Sequence, residues 1–185
     1  MKFLSEKHFG AFANKKLADT RAHFLSLDKA ICSKLAEHGL IHHHYIQHRI
    51  LYKEPYDYAI LRYWRDRDRE IITLVGEWYN FSCIDISADK DGIYLGVWFG
   101  KFNKHGVDRH KVECAMKEID DDIYTWVDEY GNTPDGDLIS WLCSSSHETV
   151  YKKKLQIENG FIDENLLLKE IVKLLPLLDV LADFR

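Results

Sequence analysis

With 185 residues, 46% of them hydrophobic and 30% charged, the chain has the make-up of a globular domain long enough to bury about two-thirds of its unfolded surface. No apolar run reaches the ~20 residues that a membrane span needs, and residues 1–8 carry no hydrophobic leader core, which predicts neither a membrane segment nor a secretory signal. The four cysteines, Cys32, Cys83, Cys114 and Cys143, include no CxxC pair, so free thiols in a cytoplasmic protein are expected and a zinc ribbon is disfavoured.

The net charge of −5 is unevenly placed. Residues 1–69 hold 13 Lys and Arg against 8 Asp and Glu, whereas residues 70–185 hold 12 against 22. Such asymmetry marks an electrostatic partner, or two halves that neutralise each other within the fold.

In chain order, residues 5–38 read as helical. Leu17, Phe24, Leu27, Ile31 and Leu35 recur on one helix face, and Gly39 suits the residue after the helix end. Ile41 to Tyr52 reads as a strand of unusual composition. On it His42, His44 and His48 share one face, and imidazoles two residues apart on a strand can present nitrogens to one zinc ion. Pro55 sits in a turn, and Tyr58 to Trp64 is the returning strand of a hairpin. Arg65 to Glu70 alternates in sign and reads as a solvated loop, followed by a short strand over Ile71 to Val75.

Trp78 to Phe102 is the central hairpin. Asp91-Gly92 supplies its turn, and both arms are aromatic or β-branched on both faces, which places them mid-sheet. Gly96 and Gly100 lie on the second arm, where a glycine makes room for neighbours or permits a close backbone approach. Tyr94 and Trp98 share a strand face with them, but the aromatic-basic pattern of an RNA-binding sheet is missing.

Asp108 is placed to cap a helix whose apolar row is Val112, Met116, Ile119, Ile123, Trp126 and Tyr130. Over residues 107–137 there are ten acidic residues against three basic ones. Glu113, Asp120, Asp121, Asp122 and Asp128 would give this helix an acidic face suited to docking on a basic partner. Asp137 to Cys143 reads as a further strand. The Ser144-Ser145-Ser146-His147-Glu148 run lacks the surroundings of a nucleophile, and the chain has no G-x-S-x-G elbow, Walker loop or GxGxxG. Lys152-Lys153-Lys154 is read as solvated. Asp163 caps the last helix, residues 163–184, whose apolar residues, Leu175 and Leu178 among them, cover more than one stripe. Such a helix is buried or used by a partner, and Pro176 is expected to kink or split it.

The expected fold is a single α+β domain over residues 1–185: an N-terminal helix, a five- or six-stranded mostly antiparallel sheet, and two C-terminal helices packed on the sheet. The favoured function is non-enzymatic protein binding, as an inhibitor, immunity-type or regulatory subunit, through Glu113, Asp120, Asp121, Asp122, Asp128, Leu175 and Leu178, with a protein partner or a second copy and no membrane. One alternative is a metal-dependent hydrolase or nuclease holding zinc on His42, His44 and His48 with a carboxylate such as Asp85. It lacks an acid-x-Lys pair, because Val97-Trp98-Phe99 precedes Lys101 where a carboxylate is needed. A further alternative is nucleic-acid binding through the basic N-terminal third.

Overall fold

The computed structural model describes residues 17–42, 58–75, 81–89, 92–100, 107–119, 124–128, 131–144, 149–155 and 163–182. Helix α1 is Leu17–Glu37. Its row Leu27, Ile31 and Leu35 is buried. It ends as expected at Gly39, whose φ of 70° is the left-handed conformation that glycine adopts without a Cβ penalty.

The strands are β1 (Leu40–His42), β2 (Tyr58–Arg65), β3 (Cys83–Asp89), β4 (Ile93–Phe99), β5 (Thr125–Asp128) and β6 (Thr149–Lys154). They form one sheet in the order β1-β2-β3-β4-β6-β5, with every pair antiparallel. The α+β architecture is therefore the expected one. The hairpin around Gly92 is present as the β3–β4 pair, with Ala88 opposite Ile93 and Cys83 opposite Trp98. The β1–β2 pairing also holds, with Leu40 opposite Arg65. Residues 43–57, which include most of the predicted histidine strand, lie outside the described residues.

Three stretches differ from their sequence reading. Residues 66–68 form a 3-10 turn that leads into helix α2, Arg69–Val75, where a solvated loop and a strand were expected. Asp68 in this turn is buried, not solvated. The long amphipathic helix is cut short: α3 is Arg109–Ile119, and Thr125–Asp128 is strand β5. Residues 138–144 are helix α4, where a strand was expected. Asp137 caps that helix, accepting from the Ser140 amide at 2.8 Å.

Helix α5, Glu164–Leu181, closes the fold. Asp163 caps it as predicted, accepting from the amides of Asn165 at 2.8 Å and Leu166 at 3.0 Å. Pro176 is exposed and the helix runs through it unsplit. At its far end, Ser82 Oγ donates to the Leu181 carbonyl at 3.0 Å and accepts from the Gly100 amide at 3.1 Å. One hydroxyl thus ties the helix end, which lacks an intrahelical donor, to the chain on both sides of the central hairpin.

Strand alternation and register define the two sheet faces. Leu61, Tyr63, Ile84, Ile86, Leu95, Val97 and Tyr151 share one. Helices α1 and α5 lie on that face: Tyr63 Oη donates to Asp28 of α1 at 2.7 Å, and Lys153 donates to Glu170 of α5 at 2.5 Å. Burial, with the neighbouring Asp28 carboxylate, holds the Tyr63 phenol well above its usual value. Helix α5 packs on β3 and β4 and against both α1 and α3, so it has apolar neighbours on several sides. That explains its breadth of leucines. Leu167, Ile171, Leu174, Leu177, Leu178 and Leu181 are all buried.

Gly96 has a geometric cause. A Cβ there would stand 2.4 Å from the Tyr151 carbonyl oxygen and 2.8 Å from Lys152 Cβ, so β6 can pair closely with β4 only at a residue without a side chain.

Candidate functional site

Of the expected acidic face, Glu113 and Asp128 lie on different elements, a helix and a strand. Glu113 is exposed on α3 and lies 3.9 Å from Arg109. Asp128 is on β5, where its carboxylate accepts from the Asn132 amide at 2.8 Å and side chain at 2.9 Å. Asp120, Asp121 and Asp122 lie outside the described residues, beyond the last residue of α3. The apolar row is explained differently. Val112 and Ile119 of α3 and Trp126 of β5 are buried in one core, and Trp126 Nε1 meets Met116 Sδ at 3.5 Å across the helix–strand contact. Of the two leucines assigned to a partner surface, Leu178 is fully buried and Leu175 packs against the core.

His42 is the last residue of β1, and His44 and His48 lie outside the described residues. Among the described residues, no group of three or more His, Cys, Asp or Glu side chains is placed to hold a metal ion. Asp85 is engaged elsewhere: Arg62 Nε donates to its Oδ2 at 2.8 Å, with the two side chains only 4% and 7% exposed. The Arg62 guanidinium also lies 3.7 Å above the centre of the Trp98 ring. Ser145 to Glu148 are outside the described residues.

Part of the uneven charge of the two chain halves is neutralised between them among the described residues. Lys34 meets Glu164 at 2.8 Å, Arg62 meets Asp85, and Arg67 meets Asp179 at 3.2 Å. Arg65 grips the same Asp179 with two donors. Each of these joins a cation before residue 70 to a carboxylate after it. Within the second half, Glu170 takes both Lys153 and Lys173. Burial pushes the Glu170 carboxyl up, but the hydrogen bonds from those two ammonium groups outweigh it and leave the group below its usual range.

Among the described residues, large apolar side chains are also exposed. Leu74 is 87% exposed and Ile71 45% exposed, while Ile72 between them is buried. Residues three apart on a helix are surface neighbours, so Ile71 and Leu74 form one apolar spot on α2. Asp66, Arg67 and Arg69, all more than half exposed, border it in sequence. An exposed apolar spot with a charged border is the make-up of a binding centre and its rim.

No protein-family model, curated protein or solved structure matches this chain.

Sequence reading missed the α2 surface because it took residues 71–75 for a strand. Four of the five are apolar, and periodicity does not separate a short helix from a short strand in such a run. The helical spacing of Ile71 and Leu74, with Ile72 turned inward, was the only available signal.

Proposed function

We propose that the chain is a protein-binding module whose contact centre is the Ile71–Leu74 spot of α2. The observation that carries this reading is the exposure of Leu74, 87%, on an ordered helical turn whose neighbour Ile72 is anchored in the core. A rigidly held, exposed leucine contributes about 1.5–3 kcal/mol when a partner buries it. Its helical mounting removes the ordering cost that a loop would add. Inhibitor, immunity-type and regulatory subunits all work by such docking. Exposed thiols at Cys32 and Cys143 fit a reducing compartment such as the cytoplasm.

The test is co-purification from the native lysate with the wild-type chain and with Ile71→Asp/Leu74→Asp. Both positions are exposed, so the variant should keep its circular dichroism and melting temperature. It should lose a stoichiometric protein that the wild type retains. A variant that folds and retains every wild-type partner refutes the α2 surface.

A further inference from the structure

We propose that His110 and Cys114 form a two-donor zinc site on the outer face of α3. Residues four apart on a helix stand one above the other on a single face. Val112, Ala115 and Ile119 turn one side of α3 into the core. At about 100° per residue, His110 and Cys114 fall on the opposite side. His110 is exposed and Cys114 is half-buried, so both are open to an ion from solvent. Their donor atoms already meet there, with Cys114 Sγ 3.6 Å from His110 Nε2. The same four-residue spacing on a helix lets two histidines hold one zinc in metalloproteases.

The separation fits the ion. Zinc takes a thiolate at about 2.3 Å and an imidazole nitrogen at about 2.0–2.1 Å, and at the tetrahedral angle two such donors stand about 3.5 Å apart. The pair is therefore spaced for zinc before the metal arrives. Its chemistry selects in the same direction: sulfur with imidazole nitrogen suits zinc, whereas magnesium and calcium take oxygen donors. Zinc binds the thiolate, so the Cys114 proton leaves to solvent as the S–Zn bond forms. The imidazole binds in its neutral form through the Nε2 lone pair, with its proton on Nδ1. Among the described residues no third His, Cys, Asp or Glu completes a set. Two of the four positions on the ion are therefore filled by water, and the metal is exchangeable.

The experiment is equilibrium dialysis of the full chain against zinc chloride under a reductant that is not a thiol. A Cys32→Ser/Cys143→Ser background removes the two other exposed thiols. One zinc per chain should bind through the pair. His110→Ala and Cys114→Ser should each weaken that binding by more than about tenfold, since even the outer-shell partners of a metal are worth about 10–100-fold. Moving the imidazole by one residue, in His110→Ala/Lys111→His, should not restore it, because the new ring points about 100° away. Neither donor is fully buried, so circular dichroism and melting temperature should be those of the background protein. Cobalt in place of zinc should add a thiolate-to-metal absorption band that Cys114→Ser lacks. A chain that takes up no zinc overturns the proposal. So does zinc that both single variants bind as tightly as the background does, or binding restored by the shifted imidazole. Ile71→Asp/Leu74→Asp should bind zinc as the wild type does, so the two sites fail or succeed separately.

Discussion

Arg62→Met is the sharpest test of how the sheet is held together. The Arg62–Asp85 pair bridges β2 and β3 at 2.8 Å with both side chains less than a tenth exposed. Removing the guanidinium leaves a buried carboxylate without its partner, a change that costs about 3–5 kcal/mol. The contact with the Trp98 ring at 3.7 Å goes with it and adds to the loss. Domains are stable by about 5–15 kcal/mol, so this variant forfeits about a fifth or more of the total. Urea unfolding followed by circular dichroism reads the effect. With a slope of about 2 kcal/mol per molar urea, the midpoint should fall by about 1.5–2.5 M. Arg62→Met/Asp85→Leu should recover most of that loss, because apolar residues of similar volume often replace a buried ion pair at no cost. A single variant that loses less than about 1 kcal/mol, or a double variant as unstable as the worse single, would show that burial of the pair does not govern its energy.

Gly96→Ala should destabilise the protein by about 1–3 kcal/mol through overpacking against β6, seen as a lower melting temperature. Asp163→Ala should cost about 1 kcal/mol in urea unfolding, because two amides at the start of α5 lose their acceptor. Glu170 has a lowered folded pKa, so its contribution is fully present above the unfolded glutamate value of 4.5 and is lost as pH falls through the lower folded value. The stability gap between wild type and Glu170→Gln should therefore be widest near neutral pH and shrink below about pH 4.5; a gap constant with pH would refute the Lys153–Glu170–Lys173 assignment.

The sites show the same division between local and distant causes. Alternation alone puts Tyr94 and Trp98 on one strand face. Nothing in residues 152–154 announces that β6 pairs with β4. The acidic composition was legible, but not that Asp128 would stand on β5 and Glu113 on α3. Of the cations in the N-terminal third, Lys34, Arg62, Arg65 and Arg67 meet Glu164, Asp85 and Asp179, partners that no spacing in residues 1–69 announces.

Sequence alone determined what rests on neighbours along the chain. Gly39 ends α1, Asp108 and Asp163 cap helices through amides two or three residues on, and the alternating arms around Gly92 pair with each other. Each is a contact that closes over a few residues, so its residue types state it outright. Tertiary structure decided the rest. Residues 125–128 continue the helical period of α3 yet become β5, because β6 offers a backbone edge and the Trp126 ring then packs tilted against Tyr151, with ring centres 5.1 Å apart. Short apolar runs at 71–75 and 138–144 suit either helix or strand, and only what packs beside them selects between the two. A strand's hydrogen bonds belong to a partner far along the chain, and no spacing within the strand itself records which partner that is.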